Sequence, residues 1–175
     1  MILQPGPAFG NALIAHLPAL RRYARALTGN AALADDLVQD GIERALKRAA
    51  TLQHPDRIGA WLRSIVHNLY LDELRRRRVR GITVDMADVA NDMTLSTPAA
   101  NDGGLNDVAR AMSTLSLEHR QILVLAGVEE LTYREIADEL AMPIGTVMSR
   151  LARARIALRG VLEGAPQTAP QEQRA

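Results

Sequence analysis

The sequence predicts an all-α protein of two small helical domains joined by a flexible acidic linker. Apolar residues recur at three- and four-residue steps along most of the chain, which is typical of amphipathic helices. Charge is unevenly distributed: residues 1–80 carry 13 Lys and Arg against 7 Asp and Glu, residues 81–107 carry five Asp and no Lys or Arg, and residues 108–175 carry eight of each sign. We therefore predict a basic domain at 11–80, the linker at 81–107, a second domain at 108–162 and a disordered tail at 163–175.

Composition and motif content exclude several kinds of site and function. The chain of 175 residues has no cysteine, which excludes disulfides and thiolate metal sites. It contains no apolar run of membrane-spanning length and no leader pattern, so we expect a cytoplasmic protein without a membrane segment of its own. We find no Gly-rich phosphate loop, metal-ligand spacing or nucleophile–base pair, and His67 has no potential ligand at suitable spacing. The prediction is a non-enzyme with no catalytic residue, cofactor or metal.

The basic domain is predicted to hold three helices, at about residues 11–27, 32–50 and 58–78. Pro18 lies inside the first, which should be kinked or divided into two pieces. The outer face of the second begins acidic and ends basic. That gradient complements the helix dipole, and a docking face for a basic partner is the functional alternative; the pattern alone favours the dipole.

The third helix ends in four consecutive arginines. Its predicted buried stripe is Ile58, Trp61, Leu62, Ile65, Val66 and Leu69, but four arginines in a row surround the whole helix and fit no single stripe. Cations are favourable at a helix C-terminus, yet four exceed what capping needs. Contact with a polyanion is the favoured interpretation. The run comprises Arg75, Arg76, Arg77 and Arg78.

Two helices separated by a tight turn follow in the second domain. Thr132 and Glu135 have the spacing of a capping box, so they predict a helix start. Pro143 is expected in the first turn of the next helix, where a missing N–H is harmless. This arrangement fits a helix-turn-helix.

The second helix of that motif has two distinct faces. Its predicted buried stripe consists of Ile144, Val147, Leu151, Ala154 and Leu158. The opposite face has small and hydrogen-bonding residues first and arginines later: Gly145, Thr146, Ser149, Arg150 and Arg153. A DNA-reading helix needs that order, because its N-terminal residues meet base edges while nearby cations engage phosphates. The alternative is the solvated face of an ordinary amphipathic helix.

Taken together, these motifs resemble the extracytoplasmic-function (ECF) class of bacterial RNA polymerase sigma factors. The resemblance covers roughly residues 11–80 and 107–160, with three blocks in the family's order. The segment at residues 20–29 is also similar to the general-stress group of that class. The blocks are residues 34–40 with 44–46, residues 60–65 with Asn68 and Asp72, and residues 131–137 with 145–147, 149–151 and 153–155.

The resemblance implies a sigma factor that binds core RNA polymerase and promoter DNA to direct transcription initiation. An acidic set on the second helix would dock on the clamp helices of the largest polymerase subunit: Asp36, Gln39, Asp40 and Glu43. The loop at 51–57 and the third helix would open the −10 element and hold a flipped base, whose capture offsets a few kcal/mol of unpairing. That −10 set is Arg63, His67, Asn68 and Asp72, with Arg75, Arg76, Arg77 and Arg78 along the phosphates.

For the −35 element, the resemblance implies that the second helix of the helix-turn-helix reads the major groove. The implied readers are Thr146, Ser149, Arg150 and Arg153, with Arg134 near a phosphate. Two residues depart from the family pattern. Met148 stands where many members have a lysine, and Gly41 stands in the docking helix, where glycine costs about 1 kcal/mol of helix propensity.

Sigma factors of this class are typically held inactive by an anti-sigma protein, so we expect such a partner to wedge against both domains. The linker would make the second DNA contact intramolecular. Two other classes of protein are alternatives: a stand-alone repressor or activator, and a sigma-like decoy that binds an anti-sigma protein without touching DNA. The first leaves the basic N-terminal domain unexplained, and the second should have lost its DNA-facing cations.

Overall fold

The computed structural model describes residues 6–79 and 103–164, and every regular element in those two ranges is helical. The predicted all-α class is therefore confirmed. Residues 80–102, which include most of the predicted acidic linker, and residues 165–175 of the predicted tail lie outside the described residues.

Within residues 6–79, the first domain is built from three helices. Between the second and third, two short 3₁₀ turns occupy much of the predicted polar loop. Gly29 caps the C-terminus of α1, where its φ of 69° suits glycine and its amide donates to the Arg25 carbonyl. The side chain of Asn30 then accepts from the Leu33 amide at 2.7 Å and starts α2. The elements are α1 (Pro7–Thr28), α2 (Ala31–Lys47), the turns Ala49–Thr51 and Pro55–Arg57, and α3 (Ile58–Val79).

α1 is one unbroken helix that continues through Pro18. It starts at Pro7, earlier than the sequence predicted, and proline in that first turn leaves no hydrogen bond unmade. The alternative of two separate pieces is wrong. Packing explains the difference, because buried side chains precede and follow Pro18, from Phe9 to Leu27, and hold both halves against one core.

α2 and α3 approach each other closely at Gly41. This glycine is buried, and a Cβ at its position would lie 2.8 Å from Cγ2 of Val66. Val66 is fully buried, so it cannot easily move aside. Glycine lowers the helix propensity of α2, but at this position it allows α2 and α3 to pack at this distance.

Over residues 103–164, the second domain contains four helices. The first begins at Gly103, within the range predicted as linker. The turn between the last two passes through Ala141, whose φ of 50° places a non-glycine residue in the left-handed region. The helices are α4 (Gly103–Thr114), α5 (Leu117–Gly127), α6 (Tyr133–Glu139) and α7 (Ile144–Leu162).

The helix-turn-helix signals are confirmed with two corrections. The capping box is complete: Thr132 N–H donates to Glu135 at 2.8 Å, and Thr132 Oγ1 accepts from the Glu135 amide. Pro143, however, is the residue that caps α7 rather than part of its first turn. Ile144 was expected to be buried but is 48% exposed, because at the first residue of α7 it extends past the core that covers Val147.

The two domains pack against each other through α5 and α1. Buried apolar residues of both domains form one continuous cluster. Trp61 is only partly buried and lies edge-on to Phe9, with ring centroids 6.3 Å apart. The described parts of the chain therefore form a closed arrangement, with α5, α6 and the start of α7 facing α1 and α3.

Gly41→Ala should destabilise the protein despite alanine's better helix propensity. The gain of about 1 kcal/mol from propensity is opposed by overpacking against Val66, which typically costs about 1–3 kcal/mol. Gly160→Ala is the matched control, since this glycine also lies within a helix but has open space around it. Urea unfolding should show a lower midpoint for Gly41→Ala and an equal or higher one for Gly160→Ala. Equal gains in both variants would contradict the close approach.

Candidate nucleic-acid interface

The residues predicted to dock on polymerase share one exposed face of α2. Asp36, Gln39, Asp40 and Glu43 are all exposed, while Leu37, Val38 and Ala45 on the opposite side are buried. Glu43 makes a weak ion pair with Lys47, at 4.0 Å. The structure therefore presents this set to solvent as a continuous, largely acidic row.

Arg63 is the most constrained of the residues predicted to act on the −10 element. Its Nη2 and Nε donate to the carboxylate of Glu139 at 2.6 and 2.9 Å, and its Nη1 donates to Glu129 at 3.2 Å. The Arg63 side chain is only 12% exposed. Burial alone would lower the pKa of Arg63, but the hydrogen bond to Glu139 and the charges of both glutamates raise it overall.

His67 lies one turn further along α3 and is also partly buried. Its Nδ1 is 3.5 Å from the hydroxyl of Tyr23, a long hydrogen bond from α1. Burial lowers the pKa of His67, so the neutral ring is favoured near neutral pH. Burial is also the main reason that the pKa of Tyr23 is raised, which keeps its hydroxyl protonated.

The rest of the −10 set lies toward the C-terminal end of α3, in contact with solvent. Asn68 is exposed, and Asp72 is partly buried and accepts from Arg75 at 2.9 Å. Arg77 bonds Glu73 at 2.8 Å, and Arg76 pairs with the same carboxylate at 3.7 Å. Such pairs within one helix are worth only about 0.3–0.5 kcal/mol each, so a polyanion can displace them. The side chain of Arg78 lies outside the described residues.

The predicted −35 readers lie along α7. Ser149 is exposed and donates to the Thr146 carbonyl, and the exposed Arg153 donates to the Ser149 carbonyl at 3.3 Å. Arg150 is partly buried, with its Nη1 3.3 Å from a carboxylate oxygen of Glu118 on α5. The set therefore occupies one helix, with Arg150 turned toward the body of the domain. Arg134, on α6, is exposed, whereas Thr146 is only partly so.

A cleft of about 360 Å³ between the domains gathers members of both predicted DNA-binding sets. It is lined by −10 candidates from α3 and by one −35 candidate from α7, together with side chains of α1 and α5. The structure thus brings together residues that the sequence assigned to separate promoter elements. Those lining the cleft include Arg63, His67, Asn68, Arg150, Tyr23 and Gln121.

Several interdomain contact residues in the described part of the chain were not predicted from the sequence. Glu129 and Glu139 hold Arg63, Asp138 pairs with Arg57 at 3.1 Å, and Arg120 donates to the Leu27 carbonyl at 2.7 Å. The partners are separated by 66 to 93 residues along the chain. Helical periodicity carries no signal for pairs so distant, so only the fold could reveal them.

Comparison with known proteins identifies the family. Residues 13–80 match the model for Sigma-70 region 2, and residues 105–158 match the model for Sigma-70 region 4. The chain belongs to the ECF sigma factors. It is similar to the ECF sigma factor EcfG of Rhodopseudomonas palustris, with 33% identity over 91% of this chain and 89% of that protein. It is also similar to the ECF sigma factor SigL of Mycobacterium tuberculosis, with 36% identity over 85% of each.

Among solved structures, the sigma factor is similar to RpoE from Bartonella quintana in complex with the anti-sigma factor NepR. The likeness covers 90% of this chain and 98% of that one, with a TM-score of 0.72 and 28% identity. One superposition thus spans both domains.

Family membership establishes what the protein does. This sigma factor binds core RNA polymerase and promoter DNA and directs transcription initiation, without catalysing a reaction itself. Its place of action is the cytoplasm, as predicted. A stand-alone regulator would not account for the region 2 match at residues 13–80.

Two further findings concern the described residues. Within residues 6–79 and 103–164, no helix combines the length and apolar character needed to cross a membrane. Over the same ranges, His, Asp and Glu side chains nowhere gather in a group of three that could hold a metal ion.

The free energy of unfolding should fall in mild acid because of His67. With a pKa below the usual value of about 6.5 in the folded state, this histidine binds fewer protons folded than unfolded. Its contribution is therefore fully present above pH 6.5 or so and is lost as the pH falls through the lowered pKa. His67→Gln should show a smaller loss of stability than the wild type when urea unfolding is repeated in mild acid.

The control for this experiment is His54→Gln, at an exposed histidine in the loop before α3. It should keep the wild-type dependence on pH. If His67→Gln and His54→Gln lose stability in parallel with the wild type, burial of His67 is not what makes the fold acid-sensitive.

Proposed function

We propose that this sigma factor divides promoter recognition between its two domains. Residues 11–80 would dock on core polymerase and open the −10 element, and residues 108–162 would read the −35 element. The observation that carries this division is that the region 2 and region 4 matches, at 13–80 and 105–158, are separate and leave most of the predicted linker between them. Separate surfaces on α2, α3 and α7 support it.

Docking is assigned to the acidic row on α2. Asp36, Gln39, Asp40 and Glu43 are exposed together, while the buried side of the helix is packed against α1 and α3. Complementary charge steers association and fixes its orientation more than it adds affinity. The row is therefore suited to setting the position of the domain on a basic polymerase surface.

Strand opening is assigned to α3 and the 51–57 loop before it. Arg63, His67, Asn68 and Asp72 would hold an unstacked base, while the arginines from Arg75 onward follow phosphates. Stacking and hydrogen bonding to a captured base contribute about 1–3 kcal/mol, comparable to the cost of unpairing it. This proposal requires Arg63 to be released from its present contacts.

Reading of the −35 element is assigned to α7. The exposed Ser149 and Arg153 and the partly exposed Thr146 and Arg150 are in its N-terminal half, where side chains of a recognition helix meet base edges. Arg134, near the start of α6, is placed to contact a phosphate of the same site.

We also propose that an anti-sigma protein regulates the chain. The structure similar over 90% of this chain is of a sigma factor in complex with an anti-sigma factor, which supports such a partner here. The segment at residues 20–29, together with the similarity to EcfG, supports placement in the general-stress group.

Run-off transcription from a library of upstream DNA tests the division directly. Core RNA polymerase with this protein should initiate at promoters that share one −35 and one −10 sequence. Polymerase alone should not use them. Initiation that depends on only one of the two elements would contradict the proposed division.

Arg150→Ala and Arg76→Ala should impair promoter binding in different ways. Loss of a base-reading arginine should cost about 1–3 kcal/mol and relax specificity at one −35 position. Loss of a phosphate-contacting arginine should instead weaken binding evenly across sequences and reduce the slope of log affinity against log salt by about one. Holoenzyme affinity for a promoter panel at several salt concentrations measures both.

The two variants serve as controls for each other, because each removes one arginine from an ion pair within its own domain. Equal effects on specificity and on salt dependence would mean that the residues are not divided into base readers and phosphate contacts.

A further inference from the structure

The start of α7 exposes two large apolar side chains. Ile144 is 48% exposed and Met148 is 54% exposed, on a helix whose other side packs into the core. They are four residues apart, a spacing that places Cβ atoms about 5–6 Å from each other on one helix face. Long side chains in helices also point back toward the N-terminus, so Met148 extends toward Ile144. The two residues therefore form one apolar patch, the Ile144–Met148 pair.

This pair lies among residues assigned to the −35 element. Ser149 directly follows Met148, and both are exposed in the N-terminal half of α7, where side chains of a recognition helix meet base edges. Gly145 is exposed too and has open space around it, so no side chain at this position separates Met148 from an approaching surface. Single exposed apolar residues are common on protein surfaces, but these two are neighbours within a predicted binding surface.

The charge of α7 indicates which kind of partner would cover the pair. Residues 144–162 contain four arginines and no Asp or Glu. Arg153 and Arg155 are exposed, and Arg155 follows Met148 by about two turns on the same face. An apolar patch on a wholly cationic helix suits a polyanion that also presents apolar groups. Duplex DNA is such a partner, because thymine methyl groups line a major groove whose strands carry phosphates.

Met148 has the chemistry for contact with a thymine methyl group. Its thioether side chain is unbranched, flexible and polarisable, so it can adapt to a small apolar group. Ser149, Arg150 and Arg153 end in hydrogen-bonding groups, which distinguish bases by their donors and acceptors. The C5-methyl group of thymine is instead recognised by apolar contact. Met148 would therefore add a kind of recognition that these three side chains do not supply.

We propose that Met148 is a specificity-determining residue that contacts a thymine methyl group in the −35 major groove, supported by Ile144 one turn earlier in α7. The proposal rests on the −35 role proposed above for α7. It assigns to the −35 element at least one A·T pair whose methyl group contributes to affinity. Removing that single methyl group should weaken binding about fourfold.

Substitution of uracil for thymine tests the contact at the level of one methyl group. A promoter recovered by run-off selection is prepared as a set of duplexes, each with one −35 thymine, on either strand, replaced by deoxyuridine. Uracil keeps the hydrogen-bonding groups of thymine and lacks only the C5-methyl group. Holoenzyme with the wild-type chain should bind one of these duplexes about fourfold more weakly than the unmodified promoter. At that position 5-bromodeoxyuridine, whose bromine is close to a methyl group in size, should restore the affinity.

Met148→Ala should abolish the response to uracil. Holoenzyme with this variant should bind the unmodified promoter at least as weakly as the wild type binds the uracil duplex. Uracil should then cause no further loss, because the two changes remove the same contact. Ile156→Ala is the matched control, since Ile156 is 71% exposed on the same helix but lies in its C-terminal half. It should keep the wild-type response, and circular dichroism confirms that both variants remain folded.

Met148→Lys distinguishes an apolar contact from simple loss of bulk. Lysine has a long unbranched stem like methionine, but it ends in a charge. This variant should lose the response to uracil. It should also steepen the slope of log affinity against log salt by about one, because a cation at this position would neutralise a further phosphate. An unchanged salt slope together with a wild-type response to uracil would place Met148 outside the groove and overturn the proposal.

Failure of this proposal can be told apart from failure of the −35 assignment of α7. A uracil response that persists unchanged in Met148→Ala would overturn the role of Met148 and would indicate a protein partner for the Ile144–Met148 pair. A wild-type holoenzyme indifferent to uracil at every −35 thymine would overturn it as well. In either case, Arg150→Ala reports separately on the helix. Relaxed specificity at one −35 position would keep α7 as the reading helix, whereas unchanged specificity would remove that assignment too.

Discussion

The buried guanidinium of Arg120 is the interaction on which the arrangement of the domains depends. It donates to the carbonyls of Met112, Ser113 and Leu115 at the end of α4, and to that of Leu27 at the end of α1. A helix C-terminus leaves carbonyls without partners, and a cation there is favourable. One side chain therefore completes two helix ends in different domains. Removing it would leave buried acceptors unsatisfied in both, each at a cost of about 1–3 kcal/mol.

Some of the predicted binding surfaces of the sigma factor are exposed to solvent, and others are covered by the opposite domain. The acidic row of α2 and the outer side of α7 face solvent, while the middle of α3 faces region 4. In the proposed function, α2 can bind polymerase at once, whereas α3 can bind the −10 strand only after Arg63 is released from its present contacts. Recognition would then follow an order imposed by which residues are accessible first.

The local features of this fold could be predicted from sequence because their causes are local. The α3 stripe, the α6 capping box and the exposed α2 row all follow from residues three or four apart. The burial predicted for Ile144 was wrong because periodicity cannot show where a core ends. The close helix contact that Gly41 permits could not be predicted, because propensity ignores the neighbouring helix. The α2 and α7 faces also follow from this spacing, and their contacts with polymerase and DNA stay predictions. The pairing of Arg63 with Glu129 and Glu139 depends on a contact between the domains, which no short-range sequence pattern encodes.

The close approach at Gly41 has a mechanical consequence for the assembled complex. Because α2 and α3 touch where a single methyl group would intrude, neither helix can slide or tilt independently of the other. In the proposed complex, α2 rests on the enzyme and α3 carries the separated strand. Because Gly41 has no side chain, the two helices form one rigid unit. In the proposed complex, the distance from the polymerase to the opened DNA is then set by the protein core rather than by the DNA.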